Sequence, residues 1–387
     1  MSERIQLIGD YLKGDEGPSD LARKYGVTRT TVYKWLDRYQ AGGFGALVDL
    51  SRAPHHHPNA VSPAIEELFL EFKARWPLWG APKLRQKLLE AVGPTRCPAE
   101  STLSAILKRH GLSRVGKIRH RAVPSQAPLG HCLENNRVWC ADFKGWFHTG
   151  DGSKCTPLTI TDGHSRYLLR CQGLGGSTGC VTIKPLFIAT FREHGLPTAI
   201  RTDNGPPFAS LTLGGLSALS VWWVRLGIGL ERIEPGKPQQ NGRHERMHRT
   251  LKAATASPPR ATLRAQQKAF DLFREEYNHE RPHEALDMRV PAEMYAPSPR
   301  EYPERPPGQQ GYPDDWEKRV VRKHGQIKWK GRLIHVSRAL SGQEIGFKAV
   351  ADGKWAVYFE SLELGVFDER TGRIKGAKRL HSTASME

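Results

Sequence analysis

Three breaker-rich stretches constrain this chain more than any other feature: Arg52-Ala-Pro-His-His-His-Pro-Asn59, Ser113 to Glu134, and Pro297 to Pro313 with its six prolines. Proline fixes φ and removes a backbone donor, so neither a helix nor a central strand runs through such a stretch. The 387 residues therefore divide into several folded segments, as expected at about 100 to 200 residues per domain. Periodicity changes at the breaks, from helical to mixed to short strands. No repeat of fixed period is present.

Charge narrows the class. Fifty-eight Lys and Arg against 40 Asp and Glu leave +18, a field that favours a polyanion, nucleic acid ahead of an anionic membrane surface. The excess is spread as +7 over residues 1–135, +7 over 136–300 and +4 over 301–387, which suits a protein lying along an extended polyanion. No run approaches the roughly 18 apolar residues of a membrane span, and the polar opening MSERIQ is not a secretory signal. A soluble, cytoplasmic, nucleoid-associated protein is expected. Cys97, Cys132, Cys140, Cys155, Cys171 and Cys180 form no CxxC pair, so they read as reduced thiols. Consecutive His55, His56 and His57 on an extended chain point in alternating directions and make a poor metal site.

Residues 1–52 carry the clearest local motif. In SDLARKYGVTRTTVYKWLDRYQ, Ser19 or Asp20 is placed to cap a helix with Leu21, Ala22 and Tyr25 on one face, and Gly26 allows a sharp turn. A second helix starts at Thr28, with Val32, Trp35 and Leu36 inward and Arg29, Thr30, Thr31, Tyr33 and Lys34 outward. This is a helix-turn-helix whose second helix fits a DNA major groove. A second helical DNA-binding module is expected over 60–112, with helices Ile65–Trp76, Ala81–Ala91 and Ala99–His110 around the Pro77-Leu78-Trp79-Gly80 break. Residues 113–135 form a basic linker in which Lys117, Arg119 and Arg121 are candidate DNA contacts.

From Arg137 the pattern turns to strands at 138–146, 158–161 and 167–174, a helix at 181–193 and a strand at 198–202. Three strands followed by helix and strand is the order of an RNase H-like mixed α/β sheet. Asp142 falls within the first strand beside Trp139 and Phe143, where a charge is costly without a partner. Asp203 opens an Asp-Asn-Gly turn after the strand TAIRT, and Glu245 lies in a helix that begins near Asn241-Gly242. Paired hard cations can activate an attacking oxygen and stabilise a leaving one in phosphoryl transfer, and they require oxygen ligands such as clustered carboxylates. Asp162 is the rival first acid, in a turn; Glu231 and Glu234, flanking the strand GLERIE, rival Glu245.

At these residues the chain resembles the DDE transposases and retroviral-type integrases, in particular bacterial insertion-sequence transposases with an integrase catalytic core. Ala-Asp142-Phe-Lys-Gly, Thr-Asp203-Asn-Gly-Pro-Pro-Phe and Pro-Gln-Gln-Asn-Gly-Arg-His-Glu245-Arg-Met-His match that family's acidic motifs in order. Tyr277-Asn-His-Glu-Arg-Pro-His-Glu-Ala-Leu286 is similar to the segment that ends the core, here residues 136–296. The 41 residues between Asp203 and Glu245 exceed the family's usual spacing, through the segment Leu211 to Arg225. The resemblance implies two Mg²⁺ ions, with Mn²⁺ able to substitute, held by Asp142, Asp203 and Glu245 as catalytic and metal-binding residues. It also implies cleavage and strand transfer at the terminal inverted repeats of a mobile element, target DNA as second substrate, and a homo-oligomer on paired ends. A transposase-derived regulator without catalysis is the alternative.

Around the third acid, Lys237, Asn241, Arg243, Arg246, Arg249 and Lys252 are candidate DNA contacts, and His248 shares their helix. Trp222-Trp223 reads as core ahead of a base-stacking platform. After the Pro-rich linker 297–316, residues 317–376 alternate apolar and polar with turns at Gly331 and Asp352-Gly353. A small β-barrel is expected there, with Lys328, Lys330 and Arg332 forming an outward basic face around Trp329.

Overall fold

A turn of one glycine organises the first helices. The computed structural model describes residues 2–50, 60–113, 132–210, 212–233, 242–305, 307–309 and 311–376. It opens with α1 (Ser2–Lys13), α2 (Pro18–Lys24) and α3 (Arg29–Gly42). Gly26 adopts φ +62°, which glycine tolerates readily, and Thr28 Oγ1 caps α3 by accepting from the Thr31 N–H at 3.2 Å. Helix α2 is preceded by Gly17 with no side-chain cap and has Pro18 in its first turn. Neither Ser19 nor Asp20 is its cap, because the helix begins at Pro18 and both lie within its first turn. Leu7 and Ile8 of α1, a helix absent from the sequence reading, complete a buried cluster with Leu21, Ala22, Val32, Leu36 and Leu47. This unit spans Met1–Ser62, and a second compact unit spans Pro63–Glu387.

The second unit begins with α4 (Pro63–Arg75), α5 (Ala81–Val92) and α6 (Glu100–Arg109). The break between α4 and α5 is a docking element. Trp76 and Trp79 stack at 4.6 Å, buried Lys73 donates to the carbonyls of Pro77 and Trp79, and the two indole N–H groups donate to Glu280 and Glu276. The tryptophans thus bind the helices to the segment after the acidic motifs.

The central sheet uses β1 (Val138–Phe143), β2 (Phe147–His148), β3 (Lys154–Asp162), β4 (Leu168–Leu174), β5 (Ala199–Thr202) and β6 (Gly229–Arg232). Strand β3 pairs antiparallel with β1, β2 and β4, while β1–β5 and β5–β6 are parallel. Helices α7 (Cys180–His194) and α8 (Ala218–Arg225) put Ile183, Phe187, Phe191, Leu219 and Trp223 against Trp139, Leu158, Ile160 and Ile200. Trp223 is thus core, and Trp222 packs on that cluster's edge. Helices α9 (Gly242–Thr255), α10 (Leu263–Glu275) and α11 (Pro291–Met294) follow, with Met247, Leu251, Phe270 and Phe273 packed on Leu168 and Cys171 of β4.

The Leu211 to Arg225 segment is a bridge. Leu216 and Val221 join the C-terminal apolar cluster, Leu219 and Trp223 join the sheet's, and Arg225 donates to Gln343 at 2.8 Å. The C-terminal strands are β7 (Glu317–Val320), β8 (Gln326–Trp329), β9 (Arg332–His335), β10 (Glu344–Ala351), β11 (Lys354–Phe359), β12 (Leu362–Asp368) and β13 (Arg373–Gly376). The expected barrel is not found: the strands form a five-stranded sheet, β13-β12-β11-β10-β7, and a separate β8-β9 hairpin. Ile327, Trp329 and Ile334 of the hairpin pack with Phe347, Val357 and Phe367 of the sheet, so a second layer buries the apolar face that closure would otherwise bury. Lys328, Lys330 and Arg332 are exposed as expected, while Trp329 is buried and donates to Glu369 at 2.7 Å. Among the described residues no helix is long and apolar enough to cross a membrane.

Candidate active site

Asp142 sits where β1 leaves the core: Val138 to Ala141 are buried, and Asp142 and Phe143 are half-exposed. The antiparallel register sets Thr159 of β3 opposite it. Successive residues of a strand face opposite sides, so Asp142 shares a side with Cys140. The Phe143 N–H donates to Asp142 Oδ1 at 2.8 Å, which orients the carboxylate.

Helix α9 lies over this end of the sheet because His244, Met247, His248 and Leu251 bury one face at i, i+3, i+4 and i+7. Both imidazoles converge on one hydroxyl: His244 Nε2 and His248 Nε2 are each 2.7 Å from Thr159 Oγ1, which donates to the Asp142 carbonyl at 3.2 Å. With its single proton so used, Thr159 Oγ1 accepts from both Nε2–H groups. Thr161 Oγ1, 3.1 Å from His244 Nδ1, then donates to that nitrogen. Neutral rings satisfy this network. Burial acts the same way, lowering His244 to about 3 and His248 to about 2.

Glu245, next to His244, is exposed, as is Asp203 just after β5. The Gly205 N–H donates to Asp203 Oδ1 at 3.2 Å, the Asx-turn read from Asp-Asn-Gly. Both acids act on Asp142: burial first, then the Asp203 charge and, more weakly, that of Glu245 push its carboxyl up to about 6. The structure thus brings into one field three acids that lie far apart in sequence.

The rival acids have other work. Asp162 is buried and accepts from the N–H groups of Asn136, His164 and Ser165 and from the Ser165 hydroxyl. Glu231 pairs with Arg201 at 2.7 Å; Glu234 lies outside the described residues. Of the candidate DNA contacts, Arg29, Thr30, Tyr33 and Lys34 are exposed on α3, and half-exposed Thr31 hydrogen-bonds the capping Thr28. Arg246, Arg249 and Lys252 are exposed, and Arg243 donates to the Gly163 carbonyl at 2.8 Å. Lys117, Arg119, Arg121, Lys237 and Asn241 lie outside the described residues, as do His55, His56 and His57.

His244 and Thr159 are the site residues that sequence reasoning missed. Among the described residues, ligand atoms of Asp142, His244 and His248 lie within 4.8 Å of one another, a nitrogen-oxygen set suited to a borderline transition metal. Both Nε2 atoms are already held by Thr159, however, whereas mutually repelling carboxylates are relieved by a hard cation. Oxygen donors of the kind Asp142, Asp203 and Glu245 offer suit a hard divalent cation such as Mg²⁺.

Comparisons with known proteins report what the chain is similar to. The family described as "Integrase core domain" matches residues 226–291, which include Glu245. "Helix-turn-helix domain" matches 3–55, "Homeodomain-like domain" 31–107, and "IS481 family transposase, C-terminal domain" 317–375. The chain is 32% identical over 163 residues to the 31.7 kDa protein of insertion element IS407 from Burkholderia multivorans, covering 42% of this chain and 56% of that protein. It is 28% identical over 262 residues to the 39.2 kDa protein of insertion element IS476 from Xanthomonas euvesicatoria, covering 65% and 70%. Among solved structures, the HTLV-2 integrase catalytic core domain in complex with magnesium has 18% identity and a TM-score of 0.33, over 42% of this chain and 99% of that one. A simian T-cell lymphotropic virus intasome chain has 18% identity and a TM-score of 0.37, over 76% and 97%. The resemblance to insertion-sequence transposases with an integrase-type core therefore extends beyond the acidic motifs that first carried it.

Proposed function

We propose that this chain is the transposase of an insertion element: it binds the element's terminal inverted repeats and catalyses Mg²⁺-dependent strand cleavage and strand transfer. The observation that carries the reading is the packing of α9 over β1 and β3 through Thr159, His244 and His248, which sets Glu245, with Asp203, in the field of Asp142, an arrangement of carboxylates suited to a shared cation. Asp142, Asp203 and Glu245 would hold Mg²⁺, which when bound activates the attacking oxygen and stabilises the leaving one. The chain's own residues supply position. The Phe143 and Gly205 N–H groups aim two carboxylates, and the His244–Thr159–His248 network locks α9 on β1 and β3, fixing where Glu245 stands. Lys144 offsets part of the negative charge on Asp142. Water would displace one phosphodiester oxygen to release a 3′-hydroxyl, and that hydroxyl would attack target DNA in the same way, with no covalent protein–DNA intermediate.

End recognition is assigned to residues 1–52, with Arg29, Thr30, Tyr33 and Lys34 toward the major groove, and to 60–112 as a second reader. Residues 113–135 serve as a basic linker, 136–296 as the catalytic core, 297–316 as a second linker and 317–376 as a C-terminal module. Holding two ends together calls for a dimer or larger assembly. A cleavage assay on an end-containing duplex with and without Mg²⁺ tests the whole reading. Metal-dependent release of a 3′-hydroxyl end is expected. Binding without cleavage would make the chain a regulator.

A further inference from the structure

Helix α9 has a second face. Arg243, Arg246, Arg249 and Thr250 line a cavity of about 480 Å³ beside the acidic site. Its cations come from four places in the sequence: Lys83 of α5, Arg166 before β4, Arg243, Arg246 and Arg249 of α9, and Arg281 of the Tyr277–Leu286 segment. Six cations face two carboxylates. Asp162 is saturated by four donors, and exposed Glu284 pairs with Lys83 at 3.7 Å. Arg166, Arg246 and Arg249 make no ion pair among the described residues, and Arg281 feels Glu276 and Glu284 only at longer range.

Gathering like charges at a partly buried place is costly unless an anion offsets them. Desolvation and the neighbouring Arg281 hold Lys83 down to about 8, and desolvation also lowers Arg166 and Arg281. A separate sign of a missing ligand is His283: it is buried on the cavity wall, and its Nε2 has no hydrogen-bond partner among the described residues. Guanidinium forks match phosphate oxygens. Cys140 lines the cavity two residues before Asp142 on the same side of β1, a separation of about 7 Å, and His244 belongs to both walls. The cavity thus lies beside the acidic site.

We propose that the cavity binds a backbone phosphate of the DNA strand that runs past the acidic site, with Arg166 and Arg281 as its principal ligands. The inference rests on the reading above and gives the Tyr277–Leu286 segment a role: docked by Trp76 and Trp79, it delivers Arg281 beside α9.

The test is equilibrium binding of the full chain to an end-containing duplex across a salt series, for the wild type and for Arg166→Gln with Arg281→Gln. Losing one neutralised phosphate lowers the salt slope by about 1 and the affinity about tenfold, equally for end and unrelated sequences. Inorganic pyrophosphate should compete with DNA on the wild type only. Should the double variant melt early, the single variants Arg166→Gln and Arg281→Gln replace it, and whichever stays folded must show the same uniform loss. Unchanged affinity and slope in a folded variant would overturn the proposal. So would pyrophosphate binding that depends on the arginines while DNA binding does not, since the cavity would then serve a small free anion. Asp142→Asn, assayed alongside, separates the two readings: transfer by that variant would sink the reaction and leave the phosphate result standing.

Discussion

The exposed face of α3 and the site around Asp142 are built by opposite means. On α3 the side chains Arg29, Thr30, Tyr33 and Lys34 stand in solvent within a turn and a half of one helix, so spacing alone sets their arrangement. Around Asp142 a strand, a turn and a helix each contribute one acid, and a buried Thr159–His244–His248 network holds the helix in place. A surface that reads a regular partner can be local. Two shared cations demand ligands from several directions, and only tertiary convergence provides them.

The comparison can be broken most sharply at Asp142. Asp142→Asn should reduce strand transfer about a thousandfold or more, the scale of several kcal/mol of lost cation-mediated stabilisation, with end binding intact by gel shift. Transfer within tenfold of wild type would remove Asp142 from the chemistry. Arg29→Ala with Lys34→Ala should do the reverse, weakening end binding by about 10- to 100-fold with the melting temperature unchanged, since neither side chain is buried. A loss of fold stability there would show that the face is structural.

Two further tests probe what holds the acid site. Thr159→Val removes the acceptor shared by both Nε2–H groups and should cost about 2 kcal/mol or more, as buried donors are left unmade, read as a lower denaturation midpoint. The fourth is pH dependence. Asp142 titrates at about 6 in the folded protein against about 3.9 unfolded, so without divalent cation the native state keeps a proton that the unfolded chain has lost. Its contribution to stability is full below about pH 4 and lost as pH rises through 6. Buried His244 and His248 act oppositely, since below about 6.5 the unfolded chain takes up their protons, and pairing wild type with Asp142→Asn cancels them. In EDTA the wild type should therefore lose stability relative to Asp142→Asn between pH 4.5 and 7, and Mg²⁺ should restore it in the wild type alone. The smallest effect is expected at Gly205, where an added Cβ would stand 3.2 Å from Asp203 Oδ2: Gly205→Ala should slow transfer a few-fold at unchanged DNA affinity.

Where a feature is local, the sequence was a good guide. Gly26 and Thr28 mark the turn and cap of the helix-turn-helix, Asp203-Asn-Gly205 marks its turn, and the strand order around Asp142 was legible from short apolar runs. The reading failed where burial is negotiated between distant segments. Pro18 displaced the expected cap of α2. The C-terminal strands alternate as barrel strands do, yet the β8-β9 hairpin covers the sheet face and leaves it open. The segment Leu211 to Arg225 looked like an insertion, and its helix α8 carries apolar residues on two sides, Leu219 and Trp223 answered by one core and Val221 by another.

Sequence by itself determined which residues are acids, which helices present cations, and where the chain must turn, because these follow from side-chain chemistry and the 2.0 and 3.6 periods of strand and helix. Only the tertiary structure decided that Asp203 and Glu245 act on Asp142, that two histidines share one threonine, and that Arg166 and Arg281 face a common cavity. Electrostatic and hydrogen-bonding partners are set by distance in space, and residues 60 or 100 positions apart become neighbours only after the sheet and α9 have packed.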